Sequence, residues 1–168
     1  MASLCLLVVF PFLMAYAAMS DILTMTIPNR VSAALVGAFT LLAVATGLDW
    51  ALIAAHAGAG LLVLAIGFGL FSAGVIGGGD AKLAAATALW LGSGPLLDYV
   101  VNASMLGGVL ALAILAMRRH PLPGFAAAWP FAVHLHDRSV GMPYGVALAA
   151  SALVTCPSAT LWRLALPG

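Results

Sequence analysis

The sequence predicts an all-α, polytopic membrane protein with about six transmembrane helices, and two observations support that prediction. Of its 168 residues, 64% are hydrophobic and only 7% are charged, and the mean hydropathy is +1.17. A soluble domain carries roughly 25% charged residues to wet its surface, whereas a surface in contact with lipid needs none. The second observation is a series of apolar segments whose lengths approach the roughly 20 residues needed to cross a bilayer.

Six apolar segments are separated by breaks that contain glycine or proline. The predicted spans lie at about 3–19, 31–47, 51–73, 82–97, 99–117 and 144–164. The fourth is the weakest because it is short and rich in alanine, and without it the count becomes five. The first lacks a basic start and a small-residue cleavage site, so we expect a retained helix and not a signal peptide. The length suits a single domain over 1–168.

The distribution of Lys and Arg predicts how the chain is oriented in the membrane. With the N-terminus outside, the loops at 20–30, 74–82 and 118–143 face the cytoplasm, and basic residues favour that side. Arg163 is the exception. These three loops hold the other basic residues, Arg30, Lys82, Arg118, Arg119 and Arg138. The same orientation places two aspartates, Asp21 and Asp80, at the cytoplasmic face.

Composition gives little support to several other kinds of site. The net charge of +1, without a basic stripe, predicts no nucleic-acid partner. Cys5 and Cys156 are isolated within apolar stretches, so we interpret them as packing residues and not as a disulfide or a zinc site.

The histidines do not form a convincing metal motif. His134, His136 and Asp137 lie close together, but no further ligand accompanies them. We interpret them as part of a loop at the level of the lipid headgroups, where aromatic residues are common. We expect His56, inside the third span, to hydrogen-bond within the helix bundle, and we assign no chemistry to His120.

Asp21 and Asp80 are the candidates for chemistry, because an ionisable residue at the edge of a span is costly and indicates a function. Asp21 closes the first helix, where the negative end of the helix dipole disfavours a carboxylate. It could also mark the membrane boundary or pair with Arg30 or Lys82. Asp80 follows three glycines and opens the fourth helix, where capping of free N–H groups explains an aspartate equally well.

Two carboxyl groups held together have a use that neither has alone. Within about 3 Å of each other they cannot both ionise, so they share one proton. The ionised group can accept a proton from a water molecule that attacks a peptide carbonyl, and the protonated group can donate to the developing oxyanion. Glycines before Asp80 would let a substrate backbone approach closely.

Three blocks, in this order along the chain, resemble the type IV prepilin peptidases, a family of membrane aspartic peptidases. The second block also has the GxGD pattern of presenilin-type proteases. The blocks are Asp21-Ile22 with Ile27-Pro28-Asn29, then Gly77-Gly78-Gly79-Asp80-Ala81-Lys82-Leu83, and finally Met142-Pro143-Tyr144-Gly145 and the residues up to Ala149.

This resemblance implies a GxGD-type intramembrane aspartic protease architecture with Asp21 and Asp80 as the catalytic pair. It implies removal of a short basic leader from prepilins at the cytoplasmic face of a bacterial inner membrane, with neither cofactor nor metal. The partners would be the prepilin and the lipid bilayer. The supporting residues would be Pro28, Asn29, Gly77, Gly78, Gly79, Lys82, Pro143, Tyr144 and Gly145.

The sequence departs from the family pattern in two respects. Longer members have a cytoplasmic insertion with CxxC motifs and also methylate the new pilin N-terminus. This chain has no CxxC motif and only a short gap between its first two helices, so it resembles the short Flp/Tad-type form, and methyltransferase activity is not expected. Where relatives often carry basic residues, this chain has Thr24-Met25-Thr26, which leaves its substrate preference open.

Two other functions remain open from the residues. In a small transporter or channel, the two aspartates would bind a cation or relay protons. In a non-catalytic subunit of a pilus assembly, the small residues of the third helix would serve helix packing, and the aspartates would tolerate replacement.

Overall fold

The computed structural model describes residues 2–165, with side chains described from 7 to 164, so the prediction for Cys5 lies outside the described side chains. Within these residues there is no strand, and the prediction of an all-α fold is confirmed. Single 3₁₀ turns occupy Ala126–Ala128 and Cys156–Ser158. The α-helices are α1 (Ala2–Thr24), α2 (Asn29–Thr46), α3 (Trp50–Ser72), α4 (Gly78–Leu91), α5 (Leu96–Met117), α6 (Pro130–His136), α7 (Tyr144–Thr155) and α8 (Thr160–Ala165).

Four helices of the described chain, α1, α2, α3 and α5, are long and apolar enough to cross a membrane. The fourth and sixth predicted spans are shorter than expected. Helix α4 has 14 residues, about 21 Å at 1.5 Å per residue, because Gly77 and Gly92 stand at its two ends. Helix α7 has 12 residues and gives way to the 3₁₀ turn that contains Pro157.

The helices pack in the order α3, α4, α2, α1, α7 and α5, and each contacts its neighbours in that series. Helices α4 and α7 also touch each other across the middle of the bundle. Within the described residues, α3 and α5 make no extensive contact with each other. The bundle therefore has an opening between α3 and α5 that leads towards α4 and α7.

An aromatic cluster around Trp90 joins four helices in the core. Its ring centroid lies 5.2 Å from that of Phe10 on α1, 6.2 Å from Phe39 on α2 and 6.0 Å from Trp162 on α8. The indole N–H donates a hydrogen bond of 2.9 Å to the carbonyl of Leu35. Trp90 is only 1% exposed. Its ring is therefore buried among the other aromatic rings, and its polar N–H is satisfied by the hydrogen bond to Leu35.

Trp90→Ala is expected to lower the free energy of unfolding by about 3–5 kcal/mol, the usual cost of truncating a buried Trp or Phe. The substitution leaves a cavity among the other rings and removes the donor to Leu35. Unfolding of the detergent-solubilised protein would measure the effect. Trp50→Ala is the matched control, since Trp50 is 82% exposed. Equal losses for the two variants would contradict the assignment of Trp90 to the core.

His56 links α3 to α4, and it hydrogen-bonds within the bundle as the sequence indicated. Its Nδ1 lies 2.8 Å from the carbonyl oxygen of Leu89, and its ring stacks on Phe39 with centroids 5.6 Å apart. Gly92 lies directly against the ring, because a Cβ there would be 2.9 Å from it, and its φ of +73° favours glycine. Gly92 is also the C-cap of α4, so α4 ends where it packs against His56 of α3.

The segment between α5 and α7 is anchored by one buried arginine. Arg118, 8% exposed, donates from Nε to the carbonyl of Leu135 at 2.8 Å and from one terminal nitrogen to those of Val140 and Gly141 at 3.1 and 3.2 Å. These bonds satisfy carbonyls that no helix would otherwise use. They hold the chain that leads directly into the start of α7.

Asp137 ends α6 with its carboxylate in a local turn. Its Oδ1 accepts hydrogen bonds from the backbone N–H and the hydroxyl of Ser139, both at 2.8 Å. These bonds hold the pKa of Asp137 below its ordinary value. His134 and His136 lie in the last turn of α6. Among the described residues, no group of three or more potential ligands is placed to hold a metal ion.

Candidate active site

Asp21 lies in the last turn of α1 and is only 5% exposed. Its Oδ2 accepts a hydrogen bond of 2.7 Å from the backbone N–H of Gly145, at the start of α7. The cations considered as partners for Asp21 have other acceptors. Arg30 donates to the hydroxyl of Tyr16 at 2.6 Å, and Lys82 donates to the side-chain oxygen of Asn29 at 2.9 Å. A buried carboxylate is thus held by a backbone donor from the far end of the chain.

Asp80 is the third residue of α4 and is partly buried. Its carboxylate turns back towards the start of the helix, since a Cβ on Gly77 would be 2.9 Å from Oδ2. A carboxylate at this position of a helix commonly reaches back in that way to cap it. Asp80 therefore has the geometry of a cap, and it also lines a cavity between the helices.

The two aspartates lie at the same end of the bundle, close enough that the charge of Asp21 acts on Asp80. Asp21 comes from the last turn of α1 and Asp80 from the first turn of α4. The start of α7 packs against the same place through Gly145. Two acids distant in sequence, and the third block of the resemblance, thus come together in one region of the bundle.

Ile27 fills the space between these elements, and it is 9% exposed. A Cβ on Gly79 would be 3.2 Å from the Cβ of Ile27, and a Cβ on Gly145 would be 2.7 Å from its Cδ1. Glycine at both positions allows α4 and α7 to pack closely against Ile27. Ile27 was not among the predicted site residues, although it stands directly before Pro28-Asn29 in the first block.

Pro28 and Asn29 begin α2 beside the same region. Pro28 is the N-cap of α2 and has extended backbone angles, and its carbonyl accepts from the N–H of Val31 at 2.9 Å. The hydrogen bond from Lys82 to Asn29 joins the starts of α2 and α4. Both of these polar side chains are exposed, which suits a water-accessible rim.

Pro143 and Tyr144 begin α7 on the other side. Pro143 is fully buried and is the N-cap of α7. The ring of Tyr144 lies against α5, where a Cβ on Gly107 would be 3.4 Å from it. Gly78 packs beside Phe71, whose ring would be 3.3 Å from an added Cβ. Every predicted site residue thus lies in or beside one region, although Lys82 and Asn29 contact each other and not the aspartates.

A cavity of about 570 Å³ opens beside Asp80, between α3, α4, α5 and α7. Asp80 is the only charged residue of its walls, which are otherwise mostly apolar or small. Tyr99, at the start of α5, also lines the cavity, and sequence reasoning did not single it out. The signal that could have found it is a phenol in the first turn of an otherwise apolar span.

These features define a helical membrane protein in which two carboxyl groups meet at one end of the bundle beside an apolar cavity. A sequence model of the type IV leader peptidase family matches residues 8–112. Because that match covers well over half of the chain, the protein belongs to the type IV leader peptidase family. The matched region contains Asp21 and Asp80, while the block around Gly145 lies beyond it. No curated protein and no solved structure is significantly similar to the chain.

Proposed function

We propose that the protein is a prepilin leader peptidase of the short, Flp/Tad-like kind. It removes a short basic leader from prepilins at the cytoplasmic face of a bacterial inner membrane. Family membership supports the peptidase activity. The observation that carries the aspartic mechanism is the meeting of Asp21 and Asp80 at one end of the bundle, beside a cavity that Asp80 lines.

In the proposed reaction the two carboxyl groups hold one proton between them, so the apparent pKa values belong to the pair and not to either residue. The ionised carboxyl accepts a proton from water as the water oxygen attacks the peptide carbonyl. The protonated carboxyl donates to the carbonyl oxygen. When the C–N bond breaks, the pair donates a proton to the leaving amine and regains one from a hydroxyl of the tetrahedral intermediate, so it returns to its starting state with one shared proton.

Leader removal is tested directly by co-expressing candidate prepilins with the protein and measuring the mass of each prepilin. We expect one or more of them to lose the basic leader at a single bond, just before the apolar segment. The control is a prepilin with a substituted residue at that bond, which should keep its leader. If no prepilin loses its leader at expression levels where the protein is detected in the membrane, the proposed function is wrong.

The same mass measurement tests whether the protein is a peptidase alone. We propose that the mature pilin leaves without a methyl group on its new N-terminus, since the chain has no CxxC motif. Mature pilin that carries the additional mass of one methyl group, and only when this protein is present, would contradict that proposal.

The proposed orientation places both aspartates on the cytoplasmic side and the N-terminus outside. In a variant without native cysteines, we expect Thr26→Cys and Val75→Cys to react with a membrane-impermeant reagent only from the cytoplasmic side. Both positions are exposed, in the connections before α2 and α4. Ser93 is exposed in the turn between α4 and α5, and Ser93→Cys should react from the opposite side. Labelling of Thr26→Cys and Val75→Cys from different sides would contradict the shared face.

Asn29→Ala is expected to reduce kcat/KM for leader cleavage by roughly two- to fivefold, and not more than about tenfold. The bond from Lys82 to Asn29 steadies the starts of α2 and α4, but both side chains are exposed, and such interactions are worth only ~0.2–1 kcal/mol. Steady-state cleavage of a purified prepilin would measure it. Thr40→Ala, an exposed substitution on α2 away from this rim, is the control. A loss as large as that for an aspartate variant would place Asn29 in the chemistry itself.

A further inference from the structure

The opening between α3 and α5 is a lateral entrance to the cavity. Both helices line the cavity, yet they make no extensive contact with each other in the described chain. On the rims, Ile66 of α3 is 56% exposed and Val100 of α5 is 46% exposed. An apolar rim suits lipid, so a segment already in the bilayer could enter sideways without passing through water.

The cavity runs along the helix axes and is not a shallow depression. On α5 its walls extend from Tyr99 to Gly108, a distance of about 13 Å at 1.5 Å per residue. On α3 they extend from Val63 to Leu70, about 10 Å by the same rise. The length corresponds to two or three turns of a helix, and Asp80 lies at one end.

Glycine and alanine keep the cavity open along its length. Gly108 of α5 lines it, and a Cβ there would meet nothing within 4 Å. Ala84 and Ala103 face it from α4 and α5. Small residues usually let neighbouring helices of the same protein approach closely in lipid. Here they line a space that no helix of the described chain occupies.

The hydroxyl of Tyr99 is buried, and in the described part of the chain it makes no hydrogen bond of good geometry. The residue is 1% exposed and lines the cavity. Thr87 lies beside it, near enough for a weak side-chain hydrogen bond, but the Thr87 hydroxyl donates its own proton to the sulfur of Met14 at 3.8 Å. A buried polar atom without a partner is uncommon in native proteins and calls for an explanation. A ligand with a polar atom at this depth would supply one.

We propose that the cleft between α3 and α5 holds the apolar segment that follows the cleaved bond of the substrate, and that the Tyr99 hydroxyl hydrogen-bonds a polar atom of that segment. This inference rests on the proposed function. The cleft is continuous with Asp80, so a helix lying in it presents its end to the aspartates. A lipid tail would fit the apolar walls but has no polar atom for Tyr99.

The depth of Tyr99 specifies where that polar atom stands. Thr87, beside the Tyr99 hydroxyl, is two turns along α4 from Asp80, about 10 Å. A helical substrate reaches the same depth roughly seven residues beyond the cut bond. Tyr99 is therefore a positioning residue that sets the register of the substrate, and it does not touch the reacting atoms.

The first test measures kcat and KM for the prepilin whose leader the wild-type protein removes. Gly108→Leu fills the cleft and is expected to reduce kcat/KM about tenfold or more, because the added side chain occupies space that the substrate segment would fill. Gly37→Leu is the matched control: it is another exposed helix glycine with nothing within 4 Å of its Cβ, on α2 outside the cleft. Equal effects of the two variants would overturn the inference.

Tyr99→Phe removes the hydroxyl alone, and among the described residues this costs only the weak contact with Thr87. We expect the melting temperature to be unchanged or slightly raised and KM for the prepilin to rise about fivefold. For a prepilin in which the polar residue near the seventh position is replaced by an apolar one, KM should be the same with the wild-type protein and with Tyr99→Phe. If Tyr99→Phe lowers the melting temperature and leaves KM unchanged, the hydroxyl is structural and this part of the inference is wrong.

The second test detects docking without cleavage. The background is a protein that carries both Asp21→Asn and Asp80→Asn and has no native cysteine. In it, Ser104→Cys places a cysteine in the cleft. Met105→Cys is the control, because Met105 is the next residue on α5, is 65% exposed and lies outside the cavity walls. The same prepilin carries single cysteines along its apolar segment. We expect disulfide cross-links to Ser104→Cys at helical spacing and few to Met105→Cys.

The outcomes separate the two proposals. Equal cross-linking at 104 and 105, with normal leader removal by the wild-type protein, would overturn the docking inference and leave the peptidase proposal standing. Failure of the wild-type protein to cut any prepilin would overturn the proposed function, and the docking inference with it.

Discussion

Asp21→Asn and Asp80→Asn are each expected to reduce leader cleavage by at least about 100-fold. Asparagine keeps the shape of the side chain but can neither accept nor release the proton that the proposed reaction moves. General acid–base catalysis by one positioned group contributes typically 10²–10⁴-fold, and the loss of either carboxyl removes the shared proton. The double variant should be little worse than either single variant, because residues that act as a unit are not additive.

The measurement is the fraction of a co-expressed prepilin that retains its leader, followed by mass, with each variant at matched membrane levels. Asp49→Asn is the control of the same chemistry. Asp49 caps α3 by accepting from the N–H of Ala51 at 2.9 Å, and asparagine caps helices about as well as aspartate. Full leader removal by either Asp21→Asn or Asp80→Asn would remove the catalytic pair from the proposal.

Gly145→Ala is expected to reduce leader cleavage by more than tenfold although it adds only one methyl group. The new Cβ would lie 2.8 Å from Oδ2 of Asp21 and 2.7 Å from Cδ1 of Ile27, distances that real Cβ atoms do not tolerate. Either α7 or Asp21 must therefore move, and the hydrogen bond from the Gly145 N–H to Asp21 is strained or lost. A displacement of about 1 Å at a catalytic group can cost on the order of 100-fold in rate.

Helix propensity alone predicts the opposite sign for this substitution. Alanine is favoured over glycine in a helix by about 1 kcal/mol, so an effect confined to α7 would stabilise the protein. Gly37→Ala provides that comparison, since an added Cβ there meets nothing within 4 Å, and it should retain full activity. Melting temperature and cleavage are measured for both variants. If Gly145→Ala cleaves at the wild-type rate, the contact of α7 with Asp21 has no part in the activity.

The sequence predicted the lipid-facing helices better than the internal ones. The spans predicted at 31–47 and 51–73 agree closely with α2 (Asn29–Thr46) and α3 (Trp50–Ser72), because long apolar runs are what a lipid surface demands. The predictions for 82–97 and 144–164 extended beyond α4 and α7. Those helices contact each other and several neighbours inside the bundle, so neighbouring helices, and not lipid alone, surround them.

For the candidate site, sequence reasoning found the residues but not their contacts. The charge of the loops predicted that Asp21 and Asp80 share a face, and the structure places them at one end of the bundle. No local pattern indicated that Gly145 would donate to Asp21, or that Ile27 would lie between Gly79 and Gly145. Such contacts join distant parts of the chain, and each depends on the absence of a single Cβ.

Composition and hydropathy determined, without any structure, that this protein is helical and resides in a membrane, because too few charged residues exist to wet a globular surface. The order of its motifs indicated the family, because a particular chemistry requires particular side chains, and those can be read from the sequence. The tertiary structure alone decided that α3 and α5 stand apart, and that the Tyr99 hydroxyl is buried without a well-formed hydrogen bond to any described residue. Those features arise from the packing of whole helices. How closely two helices approach each other depends on the shapes of their side chains, and hydropathy does not describe shape.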